Sequence, residues 1–227
     1  MPIIQFFIRI ALLLLSSTTA ICFTHAFCAA NTNHQHNHNS MKASVYIAVT
    51  LDGYIADDEG SVSFLDEYQS SASKEDRDMG FSEFLSSVDL LVMGRKTWDQ
   101  VVSFGEDVWP YGERQVWIWS RQQPSEIYIP ECRAHQAKVT NELPEGIQKA
   151  AKEKGYKHMY IDGGTTIQQF LQHDCVGELI LTRVPLLLGS GISLFSSSIN
   201  KLPLDHLKTT SYSNGLVQSH YRVARES

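Results

Sequence analysis

Two hydrophobic rhythms alternate along the chain after position 40. Short unbroken apolar runs rich in β-branched residues, the first being Ala43 to Thr50, suit strands buried on both faces of a sheet. Further runs of this kind are Asp89 to Met93, Gln115 to Ser120, His158 to Asp162 and Glu178 to Val184, with minor strands at Tyr54 to Ala56, Ile127 to Ile129 and Ala137 to Thr140. Between them, apolar positions recur every three or four residues. Phe81, Phe84, Leu85 and Val88 predict a helix over Lys74 to Val88, with Ser73 as its cap and Asp76 at its third position. Further helices are expected over Thr97 to Val102, from Pro144 to a stop at Gly155, and over Thr165 to Gln172. Pro203 to Ser213 and Leu216 to Val223 read as a hairpin across Asn214-Gly215. Strands alternating with helices, followed by a hairpin, indicate a three-layer α/β fold: a mostly parallel central sheet, covered on both faces, with an antiparallel C-terminal hairpin.

The first forty residues break both rhythms. Residues 1–30 form an apolar leader with the centre and small-residue exit of a secretory signal, with candidate cleavage after Ala20 or Ala30. The same run also suits a weak bilayer anchor, or upstream sequence joined through a misplaced start, with Met41 as the working one. Residues 31–40 contain only Asn, Thr, His, Gln and Ser, a low-complexity linker that cannot bury a core. Alternating His34, His36 and His38 are compatible with weak transition-metal binding, but no metal site is expected. Residues 41–227 then make one domain, with 18 basic against 25 acidic residues and a formal charge of −7. That balance gives no general attraction to nucleic acid or to acidic lipid. No membrane partner is expected unless the leader is retained. A cytoplasmic location is expected; the alternative is export or tethering through the leader.

Two strand–glycine–helix junctions carry the candidate chemistry: Val92-Met93-Gly94-Arg95-Lys96-Thr97-Trp98 and Tyr160-Ile161-Asp162-Gly163-Gly164-Thr165-Thr166. Glycine at the end of a parallel strand lets a ligand approach the backbone, and the open N–H groups of the next helix attract an anion. Two such grips suit a dinucleotide. Arg95 and Lys96 add charge-assisted donors, while Thr97, Thr165 and Thr166 add hydroxyls. A side chain at Gly164 is expected to project into the space of the pyrophosphate. Neither junction is the G-x-G-x-x-G fingerprint of the common dinucleotide fold, and either reads equally well as a plain turn.

With Thr50-Leu51-Asp52-Gly53-Tyr54-Ile55-Ala56 and the segment from Pro185 to Phe195, these motifs resemble the dihydrofolate reductase-like superfamily. Within it, the chain is similar to the reductase domain of bacterial riboflavin biosynthesis (the RibD C-terminal domain) and its stand-alone relatives. The resemblance covers about Lys42 to Val223. It implies NADPH as hydride donor, a homodimer, and a small heterocyclic substrate, with 5-amino-6-(5-phosphoribosylamino)uracil as the candidate. The alternatives are a dihydrofolate or other pterin reductase and a non-catalytic nucleotide- or pterin-binding module. Carried over by motif, Thr50, Gly53, Gly94, Arg95, Thr97, Ser120, Arg121, Gly163, Gly164 and Thr165 are expected to bind the cofactor. Asp52 and Asp78 are the candidate catalytic carboxylates; Asp162, Gly191 and Phe195 are the candidate substrate contacts. The Trp-x-x-Pro segment of dihydrofolate reductases is replaced here by Gln69-Ser70-Ser71-Ala72-Ser73, and the riboflavin enzyme's glutamate before the paired glycines is replaced by Asp162. No zinc-deaminase signature accompanies the domain. Trp98, inside the first junction, is expected to report nucleotide binding by fluorescence.

Overall fold

A computed structural model describes residues 41–73, 76–195 and 199–224. The leader, the linker and the first residues of the helix expected at Lys74 lie outside the described residues. Ten strands are described: β1 (Lys42–Thr50), β2 (Tyr54–Ala56), β3 (Leu90–Gly94), β4 (Gln115–Trp119), β5 (Ala137–Thr140), β6 (His158–Asp162), β7 (Glu178–Val184), β8 (Ile192–Ser193), β9 (Leu204–Ser211) and β10 (Val217–Val223). The helices are α1 (Leu65–Ser71), α2 (Phe81–Ser86), α3 (Arg95–Ser103), α4 (Pro144–Glu153) and α5 (Gly164–Gln172).

Eight strands form one sheet in the order β5-β4-β3-β6-β1-β7-β10-β9, and β2 pairs with β8 in a separate two-stranded sheet. Strands β1 and β3 to β7 run parallel, while β10 is antiparallel to both β7 and β9. The central strands β1, β3 and β6 are buried along nearly their whole length, which is why their sequences are unbroken apolar runs.

From β1 the chain moves outward through β3 and β4 to β5, then returns in the opposite direction to β6 and β7. Right-handed crossovers therefore place α2 and α3 on one face and α4 and α5 on the other. Ring packing agrees: Phe81 and Phe84 of α2 meet Tyr46 of β1 and Tyr160 of β6, all on the α2 face. Adjacent strands β3 and β6 thus send their following helices to opposite faces. The crevice between the carboxyl ends of those two strands is the switch point at which α/β sheets hold ligands.

Three expectations need correction, and one element is new. The helix of the Lys74 to Val88 region begins only at Phe81. Ser73 does accept the Asp76 N–H, but Met79 and Gly80 have φ of 48° and 81° and interrupt any helix there. The hydroxyls of Tyr46 and Tyr212 both donate to the Met79 carbonyl and hold it away from a helical partner. Ile127 to Ile129 is irregular rather than a strand. The terminal hairpin is joined by five residues, since Ser211 pairs with Val217, and Asn214-Gly215 lies inside that longer loop. Helix α1 had no periodic signal and was not expected. Among the described residues, no helix is long and apolar enough to cross a membrane.

Candidate functional site

The switch point opens into a cleft of about 870 Å³. One wall is the start of α3, with Gly94, Arg95, Lys96, Thr97 and Gln100, continued by Trp119, Ser120, Arg121, Asn141 and Leu143 beyond β4 and β5. The floor is Gly163, Gly164, Thr165, Thr166 and Gln169 at the start of α5. The facing wall is Ile55 and Ala56 of β2, the Asp58-Glu59-Gly60 turn, and Ile192 of β8. Among the described lining residues, the cations Arg95, Lys96 and Arg121 lie on the first wall and the carboxylates Asp58 and Glu59 on the facing one.

Both helix starts facing the cleft have glycine at the N-cap and no side-chain cap. Their first-turn N–H groups therefore point into the cleft without an internal acceptor, and the helix dipoles add partial positive charge. The glycines have a reciprocal packing role that the sequence does not display. A Cβ on Gly94 would lie 2.9 Å from Thr166 Oγ1 of α5, and one on Gly163 would lie 2.5 Å from Thr97 Oγ1 of α3. Each junction thus makes room for the other helix's threonine, which draws the two helix starts together. Gly163 also has φ 88°, a conformation that L side chains rarely adopt.

Eight of the sequence-nominated cofactor residues line this one cleft: Gly94, Arg95, Thr97, Ser120, Arg121, Gly163, Gly164 and Thr165. The other two do not. Thr50 is buried; its hydroxyl accepts the Tyr54 N–H at 2.9 Å and donates to Asp52 Oδ1 at 2.5 Å. Gly53 N–H donates to the Thr50 carbonyl, closing the turn between β1 and β2. Asp52 is exposed, and its other oxygen accepts the Gly189 N–H at 2.8 Å. The Thr50 hydroxyl, with Gly189 N–H adding to it, holds the Asp52 carboxyl below its usual range. These three residues tie β1 to the 186–195 segment and stand outside the cleft lining.

Asp78 is also elsewhere. Its carboxylate accepts the Ser82 hydroxyl at 2.8 Å and the Ser82 N–H at 3.1 Å at the start of α2. Asp162 is fully buried and turned away from the cleft. Gly191, φ 142°, packs where any Cβ would collide with the Ala56 carbonyl oxygen, so it keeps β8 against β2. Phe195 is exposed, and its carbonyl accepts the Ser193 hydroxyl. A Cβ on Gly164 would collide with Ile55 Cδ1 instead of entering open cleft space, with Ile192 Cγ2 3.9 Å away. Trp98 is completely buried and donates to the Tyr128 carbonyl, so it stands behind the cleft wall; Trp119 is the tryptophan that lines the cleft.

Sequence reading missed the Asp58–Gly60 turn, Gln100, Trp119, Asn141, Leu143 and Gln169, whereas Ile55, Ala56 and Ile192 fall within two segments that it had singled out, Thr50 to Ala56 and Pro185 to Phe195. Trp119 and Asn141 stand at the carboxyl ends of parallel strands, a position that would have nominated them. Arg95 is bonded to Asp99 one turn along α3, an exposed pair.

A doubly wound α/β domain with two uncapped helix starts converging at its switch point is thus the class that fold and site define. The chain belongs to the RibD C-terminal domain family, whose sequence model matches residues 42–218. It is 32% identical to the uncharacterized protein YwjB of Bacillus subtilis (strain 168) over 181 residues, covering 79% of this chain and 97% of that one. In fold it is similar to a protein of Shewanella sp. PV-4 named for riboflavin biosynthesis, with 36% identity and a TM-score of 0.72 over 82% of this chain and 100% of that one. A Thermotoga maritima protein named as a diaminohydroxyphosphoribosylaminopyrimidine deaminase and 5-amino-6-(5-phosphoribosylamino)uracil reductase shares the fold at 15% identity and a TM-score of 0.60, over 82% of this chain and 57% of that one. The likeness to the Thermotoga protein is one of fold.

Proposed function

We propose that the protein is an NADPH-dependent reductase that delivers hydride to a small heterocycle, with 5-amino-6-(5-phosphoribosylamino)uracil as the first substrate to test. The observation that carries this reading is the pair of uncapped helix starts sharing a cleft with Arg95, Lys96 and Arg121. That donor set matches a ligand with several phosphates, and the cleft is large enough for an extended dinucleotide.

In this reading the N–H groups at the start of α5 and α3 hold the pyrophosphate. Arg95 and Arg121 bind the additional phosphate that distinguishes NADPH from NADH, a task suited to the guanidinium fork. Ile55, Ala56 and Ile192 give the facing wall an apolar surface that excludes water from a flat ring. When bound, the reduced nicotinamide supplies the hydride. The protein's own contribution is orientation, and the proton that completes the reduction comes from water or from Asp58 or Glu59, the carboxylates that line the cleft, since Asp52 and Asp78 stand outside it.

The test is calorimetric titration with NADPH and NADH, followed by absorbance at 340 nm after adding the uracil substrate. Tighter binding of NADPH and substrate-dependent loss of absorbance are expected. Binding without turnover of any pyrimidine or pterin offered would leave a nucleotide-binding module, and absence of binding would refute the reading.

A further inference from the structure

Asp162 ends β6 directly behind the paired-glycine turn, and its residue is 1% exposed. Its carboxylate faces inward: Oδ1 accepts the Gly163 N–H at 2.7 Å, and Oδ2 accepts the Tyr111 hydroxyl across a long 3.5 Å. Gly163 is in turn the N-cap of α5, and its carbonyl accepts the Ile167 N–H that opens the helix. The carboxylate therefore fixes the peptide that sets the direction of the α5 start, and it sits behind the floor on which an anion would rest. The titratable groups facing it are the buried phenols of Tyr111, from the segment before β4, and Tyr160, on β6 itself. Met93, its register partner on β3, is apolar and fully buried. Among the described residues no cation acts on Asp162.

We propose that Asp162 is a proton-coupled positioning residue: a phosphate docking at the start of α5 drives its carboxyl to the protonated form, so that nucleotide binding takes up a proton. This rests on the reading of the cleft as a dinucleotide site. Burial pushes Asp162 up to about 7, against the opposing hydrogen bonds from Gly163 and Tyr111. A carboxyl in that range is divided between its two forms at neutral pH. An incoming anion in front of the turn disfavours the negative form further. The protonated carboxyl still accepts the Gly163 N–H through its carbonyl oxygen, so the turn is kept while the repulsion is removed.

The sign follows by linkage. Affinity is constant while the free protein is already protonated, below about pH 7, and weakens as pH rises between the free and bound pKa values. One unit of separation between them corresponds to a tenfold change, and a unit charge about 10 Å away through an effective dielectric of about 20 supplies on the order of one such unit.

The probe is NAD+, whose pyrophosphate does not titrate between pH 6 and 9, measured calorimetrically in two buffers of different ionisation enthalpy. Asp162→Asn keeps an acceptor for Gly163 and cannot titrate. The expected result is greater proton uptake near pH 7.5 in the parent protein than in Asp162→Asn, and a dissociation constant that rises about tenfold from pH 6 to 9 in the parent relative to the variant. Tyr111→Phe removes a donor to Asp162 and is expected to move the midpoint of that rise to higher pH, an independent reading if Asp162→Asn does not fold. Equal proton uptake and parallel pH curves in parent and Asp162→Asn, or an unmoved midpoint in Tyr111→Phe, would overturn the role of Asp162 alone. Absence of any binding of NAD+ or NADPH would overturn the functional reading as well.

Discussion

Gly164→Ala isolates what the second glycine of the α5 junction does. The added methyl collides with the tip of Ile55, a nearly buried side chain on the cleft wall that must leave its rotamer to make room. Forcing a buried side chain from its rotamer costs about 1–3 kcal/mol. Replacing glycine at a helical position returns about 0.4–1 kcal/mol through the unfolded chain. The net destabilisation is centred on about 1 kcal/mol within a span of about 0–2.5, or roughly 2–4 °C in melting temperature at the centre for a domain of this size. Ile55→Val deletes the colliding atom and alone costs about 0.5–1.5 kcal/mol. In the double variant the collision is gone, so a thermal-melt cycle over the four proteins should show a favourable coupling of about 1–3 kcal/mol, the size of the collision itself. Additive costs would refute the packing account. The cycle repeated with NADPH also separates packing from ligand contact. The account predicts that the double variant is still stabilised by NADPH through mass action; a stable double variant indifferent to NADPH would show that the ligand needs the space at Gly164, as the sequence had suggested.

Two further outcomes follow from named groups. Arg95→Ala should weaken NADPH binding by about 1.5 kcal/mol, the low end for a charge-assisted contact because Asp99 already engages the guanidinium, and NADH binding should change much less. Equal losses measured by calorimetry would assign Arg95 to the shared pyrophosphate instead. Asp162 titrates near 3.8 when unfolded and at about 7 when folded, so the folded chain binds the extra proton. Stability should accordingly fall as pH rises from about 4 to about 7, by up to about 4 kcal/mol from this group. Urea unfolding of Asp162→Asn should lack that component, and a parent protein equally stable at pH 5 and pH 7.5, relative to the variant, would contradict the shift.

Strands were legible where one physical rule governs many residues. Burial on both faces makes β3 and the centre of β6 apolar runs, and the bounds of β3, β6 and β7 follow within a residue. The two glycine junctions were legible for the same local reason. What escaped depends on partners distant in sequence. The Phe81 to Val88 periodicity extends a helix back to Lys74 only if nothing pins Met79, and the hydroxyls that pin it come from Tyr46 and Tyr212. Gly94 and Gly163 invite a ligand explanation from sequence, yet each first makes room for a threonine of the opposite helix. The motif containing Thr50 and Asp52 was legible as a motif, while its side chains are engaged in closing the β1–β2 turn. The Asp58–Gly60 turn and Ile192 reach the cleft only because β2 pairs with β8 across more than 130 residues, a pairing too short to leave a periodic trace.

The central claim, that the switch-point cleft holds NADPH, is tested most directly at Trp119. Its ring lines the cleft and is held by a 2.9 Å hydrogen bond from Nε1 to the Glu142 carbonyl, whereas Trp98 is sealed in the core. Titrating the protein with NADPH while following tryptophan emission should give saturable quenching, with energy transfer to the bound dihydronicotinamide. Trp119 is the tryptophan nearest the ligand, so the fractional quenching should be clearly smaller in Trp119→Phe, with binding still measured by calorimetry. Quenching that persists unchanged in Trp119→Phe would place the nucleotide elsewhere, and a signal that does not saturate would contradict the account.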